Sequence, residues 1–100
     1  MFRHTIMWKI VEDSEGRSKE DITAKMKELL EGLNGKIPGL IRIEIGVNTL
    51  DAENVFDIIL IGDFESKEAY AKYSKHPEHE KIIPFFKSLK LDRTIVDYDL

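Results

Sequence analysis

The sequence has no cysteine, so disulfides, a thiolate nucleophile and cysteine-ligated zinc are all excluded. Positive charge is also short. Fifteen Lys and Arg against 19 Asp and Glu leave a net charge of −4, the wrong balance for a nucleic-acid partner, which needs a basic face to displace counterions. No apolar run approaches the roughly 18 residues of a membrane span, so no membrane partner is expected. The opening MFRHTIMWKIV is too short and too polar for a signal peptide, with Lys9 interrupting it, and a cytoplasmic location is expected. What remains is an ordinary globular composition, 42% hydrophobic and 34% charged, over 100 residues. That length suits a single domain spanning 1–100 with a modest core.

Periodicity divides the chain. Residues 2–11 alternate, with Phe2, His4, Ile6, Trp8 and Ile10 on one face. Ser18 followed by Asp21 resembles a capping box, and Ile22, Met26, Leu29, Leu30 and Leu33 then form a helical stripe. Gly35 and the segment KIPG end that helix. A strand is expected over 40–48, with Ile41, Ile43, Ile45 and Val47 on one face, and another over 55–64. Ser66 caps a short helix reaching Lys75, and Pro77 suits the first position of the next. Pro84 predicts a break into two pieces, about 77–83 and 84–89, before a last strand over 93–98.

The order β-α-β-β-α-β is the α+β, ferredoxin-like arrangement, a four-stranded antiparallel sheet with helices on one face. The third strand is apolar on both faces over most of its length: Phe56, Ile58, Leu60 and Phe64 on one, Val55, Ile59 and Ile61 on the other, with Asp57 the exception. One helical layer cannot hide both, and a homodimer packing sheet on sheet answers the problem.

The stretch AKYSKHPEHEKIIPFF (71–86) holds two of the three histidines, two of the three prolines and one of the three tyrosines, Tyr73. With Pro77 first in a helix, His79 is third, and the stripe His79, Ile82, Ile83 turns its ring toward the sheet. A histidine held neutral there can serve as a base or hydrogen-bond donor. Tyr73 can reach the same space, and His4 shares a face with Ile6 and Trp8. Polar tips converging on an apolar lining describe a pocket for a small apolar or aromatic ligand. His79 and Tyr73 are the catalytic candidates. His4, Ile6, Trp8, Leu60 and Ile83 are the substrate-binding ones. His76, just before Pro77, is read as a helix cap. No metal site is expected at His76 and His79, because Pro77 removes the regular spacing and no carboxylate is aimed between them.

Four pieces carry a family resemblance: the strand beginning at His4, IPGLIRIEIGVN (37–48), FDIILIGDFESKEAYAKYSKHPEH (56–79) and VDYDL (96–100). Together they resemble the stress-responsive dimeric α/β barrel (Dabb) domains over nearly the full length. The resemblance implies a ferredoxin-like subunit whose sheet pairs with a second copy into a barrel, and no cofactor. The family includes plant stress proteins without known catalysis and a cofactor-free plant polyketide cyclase. The chain is similar to the cyclase at three positions: its catalytic tyrosine corresponds to Tyr73, its catalytic histidine to His79 and a further pocket histidine to His4. In such a cyclase the histidine is the base for an intramolecular aldol step, and the tyrosine orients or polarises the substrate. This chain departs from it in the first helix, aliphatic at Ile22, Met26, Leu29 and Leu30 where the cyclase has aromatics, and at Pro84. Three functions follow as alternatives: a cofactor-independent cyclase or lyase acting on a carbonyl, polyketide-like substrate; a non-catalytic stress-responsive ligand-binding dimer; and a cofactor-free oxygenase.

Overall fold

The computed structural model describes residues 1–13 and 15–100. The elements run β1 (Phe2–Asp13), α1 (Lys19–Glu31), β2 (Leu40–Val47), β3 (Ile58–Phe64), α2 (Lys67–Lys75), α3 (Pro77–Lys87) and β4 (Leu89–Asp99). The strands form one antiparallel sheet in the order β2-β3-β1-β4. This is the expected ferredoxin-like α+β fold, with the second helical segment divided in two.

Alternation along each strand sorts side chains between two faces, and the register stacks like with like. Ile45, Leu60, Ile6 and Ile95 make one row across all four strands of the inner face, the one the helices cover. Ile43, Gly62, His4 and Asp97 make the next. The apolar stripe of α1 packs on this face, burying Ile22, Met26 and Leu30, while the Ser18 side chain accepts from the Asp21 amide at the helix start. Its C-cap is Gly32, so Leu33 is buried from the following turn and not from the helix. Gly39 sits at φ +83°, and a Cβ there would stand 2.6 Å from that of Ala69. The IPG turn therefore needs glycine both for its backbone and for the approach of α2.

Four expectations are corrected. α3 runs unbroken through Pro84. The carbonyl that this proline leaves without an amide partner belongs to Glu80, and both residues are exposed, so water can satisfy it. β4 starts at Leu89, because β1 continues to Asp13 past an irregularity between Ile10 and Glu12 and extends the ladder. β3 starts only at Ile58, since the Asp57 carboxylate turns to accept from the Ile10 amide at 2.7 Å. Ile41 is exposed because the register shifts between Leu40 and Arg42, which turns Leu40 inward and leaves Ile41 out.

β2 lies at a sheet edge, and side chains from the end of α1 and the turn after it cover its free groups. Asn34 donates to the Ile43 carbonyl at 3.0 Å and accepts from the Ile43 amide at 2.8 Å, while Glu31 accepts from the Ile45 amide at 3.1 Å. The Asn34 amide thus imitates a neighbouring strand. Asn34→Ala is expected to lower stability by about 1–2 kcal/mol in urea unfolding, since two strand groups lose their partner together.

Candidate functional site

A cavity of about 440 Å³ opens between the inner face of β1 and β4 and the pair α2 and α3. All seven candidate residues, His4, Ile6, Trp8, Leu60, Tyr73, His79 and Ile83, stand on its wall. His76 does not. It ends α2 and starts α3, and its Nδ1 accepts from the Glu78 amide at 3.1 Å, which is the capping role expected of it. That sharp corner turns α3 back and brings His79 against Tyr73, with ring centroids 4.6 Å apart.

The chemistry depends on which atoms remain free. His79 Nδ1 lies 3.2 Å from the Ser74 carbonyl oxygen. A carbonyl can only accept, so Nδ1 carries the proton and Nε2 is left with a lone pair in the neutral ring. Partial burial of the ring pushes its pKa below the ordinary 6.5; the Ser74 carbonyl and Glu80 oppose this, and His4 adds to it. The Tyr73 ring is buried in an aromatic cluster with Phe64, Tyr70 and His79. Among the described residues its hydroxyl has no hydrogen-bond partner, yet no buried side-chain polar atom of those residues lacks one. The hydroxyl therefore opens on the cavity. Burial raises its pKa far above that of a free phenol, so it stays a proton donor.

Sequence reasoning missed Asp97. It faces His4 across the β1–β4 ladder, and its carboxylate sits 2.5 Å from His4 Nδ1. The carboxylate accepts from Nδ1–H, which fixes the ring and leaves Nε2 as its free nitrogen. The Tyr70 ring packs against the same ring in a tilted arrangement, with centroids 4.7 Å apart. Gly62 is the other neighbour of His4 in the row, and a Cβ there would press on Phe64 and Leu60 at 3.2 and 3.3 Å. The missing side chain makes room for the ring cluster under the cavity. The only hint of Asp97 in the sequence is its place in VDYDL, on the strand that must pair with β1.

His79 gives the fold a definite response to acid. Its folded-state pKa is depressed, so below the ordinary 6.5 the unfolded chain binds more protons than the folded one. The contribution is fully present above that value and is lost as pH falls through the window between it and the lower folded-state pKa. Wild type should therefore lose urea stability more steeply than His79→Gln just below pH 6.5. Parallel slopes in that window would contradict the burial argument.

Among the described residues no three His, Asp or Glu side chains cluster in a way that could hold a metal ion. Among the described residues no helix is long and apolar enough to cross a membrane.

Residues 2–100 match the family model of the stress responsive A/B barrel domain. The chain is similar to a solved structure from Bacteroides fragilis, a dimeric protein of unknown function with a ferredoxin-like fold. The two share 27% identity over 99% of this chain and 95% of that one, with a TM-score of 0.85. A solved protein from Arabidopsis thaliana is 26% identical over 100% of this chain and 95% of that one, at TM-score 0.78. A dimeric ferredoxin-like protein of unknown function from Thermobifida fusca YX is 20% identical over 99% and 90%, at TM-score 0.83, which shows a shared fold alone. Among curated proteins none matches in sequence.

Proposed function

The chain belongs to the stress responsive A/B barrel (Dabb) family, and on that premise we propose that it is a homodimer whose cavity takes a small carbonyl compound and removes a proton α to the carbonyl without a cofactor. One observation carries the reading. The cavity wall presents a histidine nitrogen with a lone pair beside a tyrosine hydroxyl that has no partner among the described residues, on an apolar lining. His79 Nε2 takes the α-proton, and the electrons of the broken C–H bond move into an enolate. The Tyr73 hydroxyl donates to the oxygen where that charge develops. Where the substrate carries a second carbonyl, the enolate carbon attacks it, and the proton on His79 goes to the resulting alkoxide. His4, held by Asp97, helps position the substrate.

A specific observation also favours a non-catalytic ligand-binding reading. His79 spends one nitrogen on backbone, and the Tyr73 ring is locked among aromatics, as core residues would be. Hydrogen–deuterium exchange at the α-carbon of a small β-diketone separates the two. Exchange accelerated by the protein and lost in His79→Ala supports the base; binding without acceleration supports the alternative.

The dimer is proposed from the uncovered face of the sheet. Thr5, Ile61 and Val96 form one row there and Met7, Ile59 and Thr94 the next. Val96 is 63% exposed and Met7 38%, an apolar patch of the kind that marks an interface. The similar B. fragilis protein is dimeric. Ile61→Lys, which sets a charge at the centre of that face, is expected to shift the chain from dimer to monomer in sedimentation equilibrium. A Lys variant that still dimerises at the wild-type concentration would place the interface elsewhere.

A further inference from the structure

We propose that the cavity is built for a small molecule that joins an apolar body to a carboxylate, held by Arg93 at the mouth with Lys87 as a second cation on the lining. This rests on the reading of the cavity as a ligand site and names what that ligand carries.

The inner face of β4 presents Leu89, Leu91, Arg93 and Ile95 in turn, so an arginine occupies a place where the period calls for an apolar side chain. Burial falls along the same row: Leu89 is buried, Leu91 half-buried, and Arg93 and Ile95 exposed. The covered end of the row is the floor and the exposed end is the mouth. Lys87, the last residue of α3, lines the same cavity from the helix side.

The charge balance at the cavity runs against that of the chain. The whole chain is acidic, at −4, yet among the described residues no Asp or Glu lines the cavity, whereas Lys87 and Arg93 both do. Among the described residues no ion pair involves either of them. The nearby carboxylates on the same face are already occupied, Asp97 by His4 and Asp99 by Lys67. Arg93 lines the cavity together with Tyr70, and its positive charge opposes that of Asp97 on the Tyr70 hydroxyl.

Two unpaired cations beside an apolar hollow suit an amphiphilic anion. The planar guanidinium matches a carboxylate with two parallel hydrogen bonds, and the lysine adds a point charge. A single negative charge fits better than two, because Asp97 and Asp99 lie farther along the same strand face. A volume of about 440 Å³ falls within the roughly 300–1,000 Å³ typical of small-ligand pockets.

The test compares phenylbutanoate with phenylbutanamide, which differ in charge and hardly in shape, by calorimetry and by the ring signals of His4 and His79 in NMR. Wild type is expected to bind the acid about tenfold more tightly than the amide, the size of one charge-assisted hydrogen bond. Added salt should shrink that ratio. Arg93→Leu, which restores the apolar alternation on an exposed position, should remove most of the preference, and Arg93→Lys should keep part of it. Equal binding of acid and amide by wild type, or a preference that survives the pair Arg93→Leu and Lys87→Gln, would overturn the proposal and leave the ligand site standing. If neither compound moves the histidine signals, the ligand site itself fails, and the proposal with it.

Discussion

Phe64→Ala is expected to cost about 3–5 kcal/mol of folding stability, the range for truncating a buried phenylalanine. The Phe64 side chain has no exposed surface, and its ring packs 4.9 Å from that of Tyr73 and 5.3 Å from that of Tyr70. Gly62 and Leu60 border it on its own strand, so the hole left by the ring has little to collapse into it. A single domain of this size has about 5–15 kcal/mol in total, and the loss should show as a large fall in the urea midpoint with an unchanged slope. Phe64→Leu keeps much of the volume and should cost markedly less. The truncation also removes the ring on which Tyr73 rests, so any ligand that the variant still binds should bind less tightly. A loss below about 1 kcal/mol would mean that the cluster repacks freely, and that the position of Tyr73 does not depend on it.

The parts of this arrangement that were legible in sequence are those set by a local period. Phe2, His4, Ile6, Trp8 and Ile10 alternate because one face of β1 is buried along its length, and a period of two survives in such a strand. The stripe of α1 and the corner at His76-Pro77 are local in the same way. A cap, a proline and a stripe were enough to send Tyr73 and His79 toward one space. Asp97 was not legible, because its meeting with His4 spans 93 residues and exists only through the register of β1 on β4. Ile41 misled for a related reason: a one-residue irregularity reverses the faces before it and leaves no mark in composition. The continuity of α3 through Pro84 depended on which side of the helix faces water, a tertiary property. The free nitrogen of His79 was equally hidden, since it is fixed by a carbonyl five residues earlier and across the corner.

His79→Ala is expected to lower the protein-accelerated α-hydrogen exchange of a β-diketone by about a hundred- to ten-thousand-fold, the usual contribution of a positioned general base. The ring is half-buried at the cavity wall and Ala suits a helix, so the variant should fold. Tyr73→Phe keeps the packing and removes only the hydroxyl. Its rate should fall by about a hundredfold, as for loss of one donor to a developing oxyanion, with little change in KM. Asp97→Asn should behave differently. It acts through His4 and not on the reacting atoms, so its effect should fall mainly on KM. The pH profile supplies the decisive sign. A base must be unprotonated, and burial holds the His79 pKa below the ordinary 6.5. The rate should therefore rise with pH through a single step below that value and stay level through neutrality. A step above it, or a profile that survives His79→Ala, would assign the base to another group. His4 would then be the next candidate, with Asp97 behind it, and the cavity would keep its ligand while His79 became part of its wall.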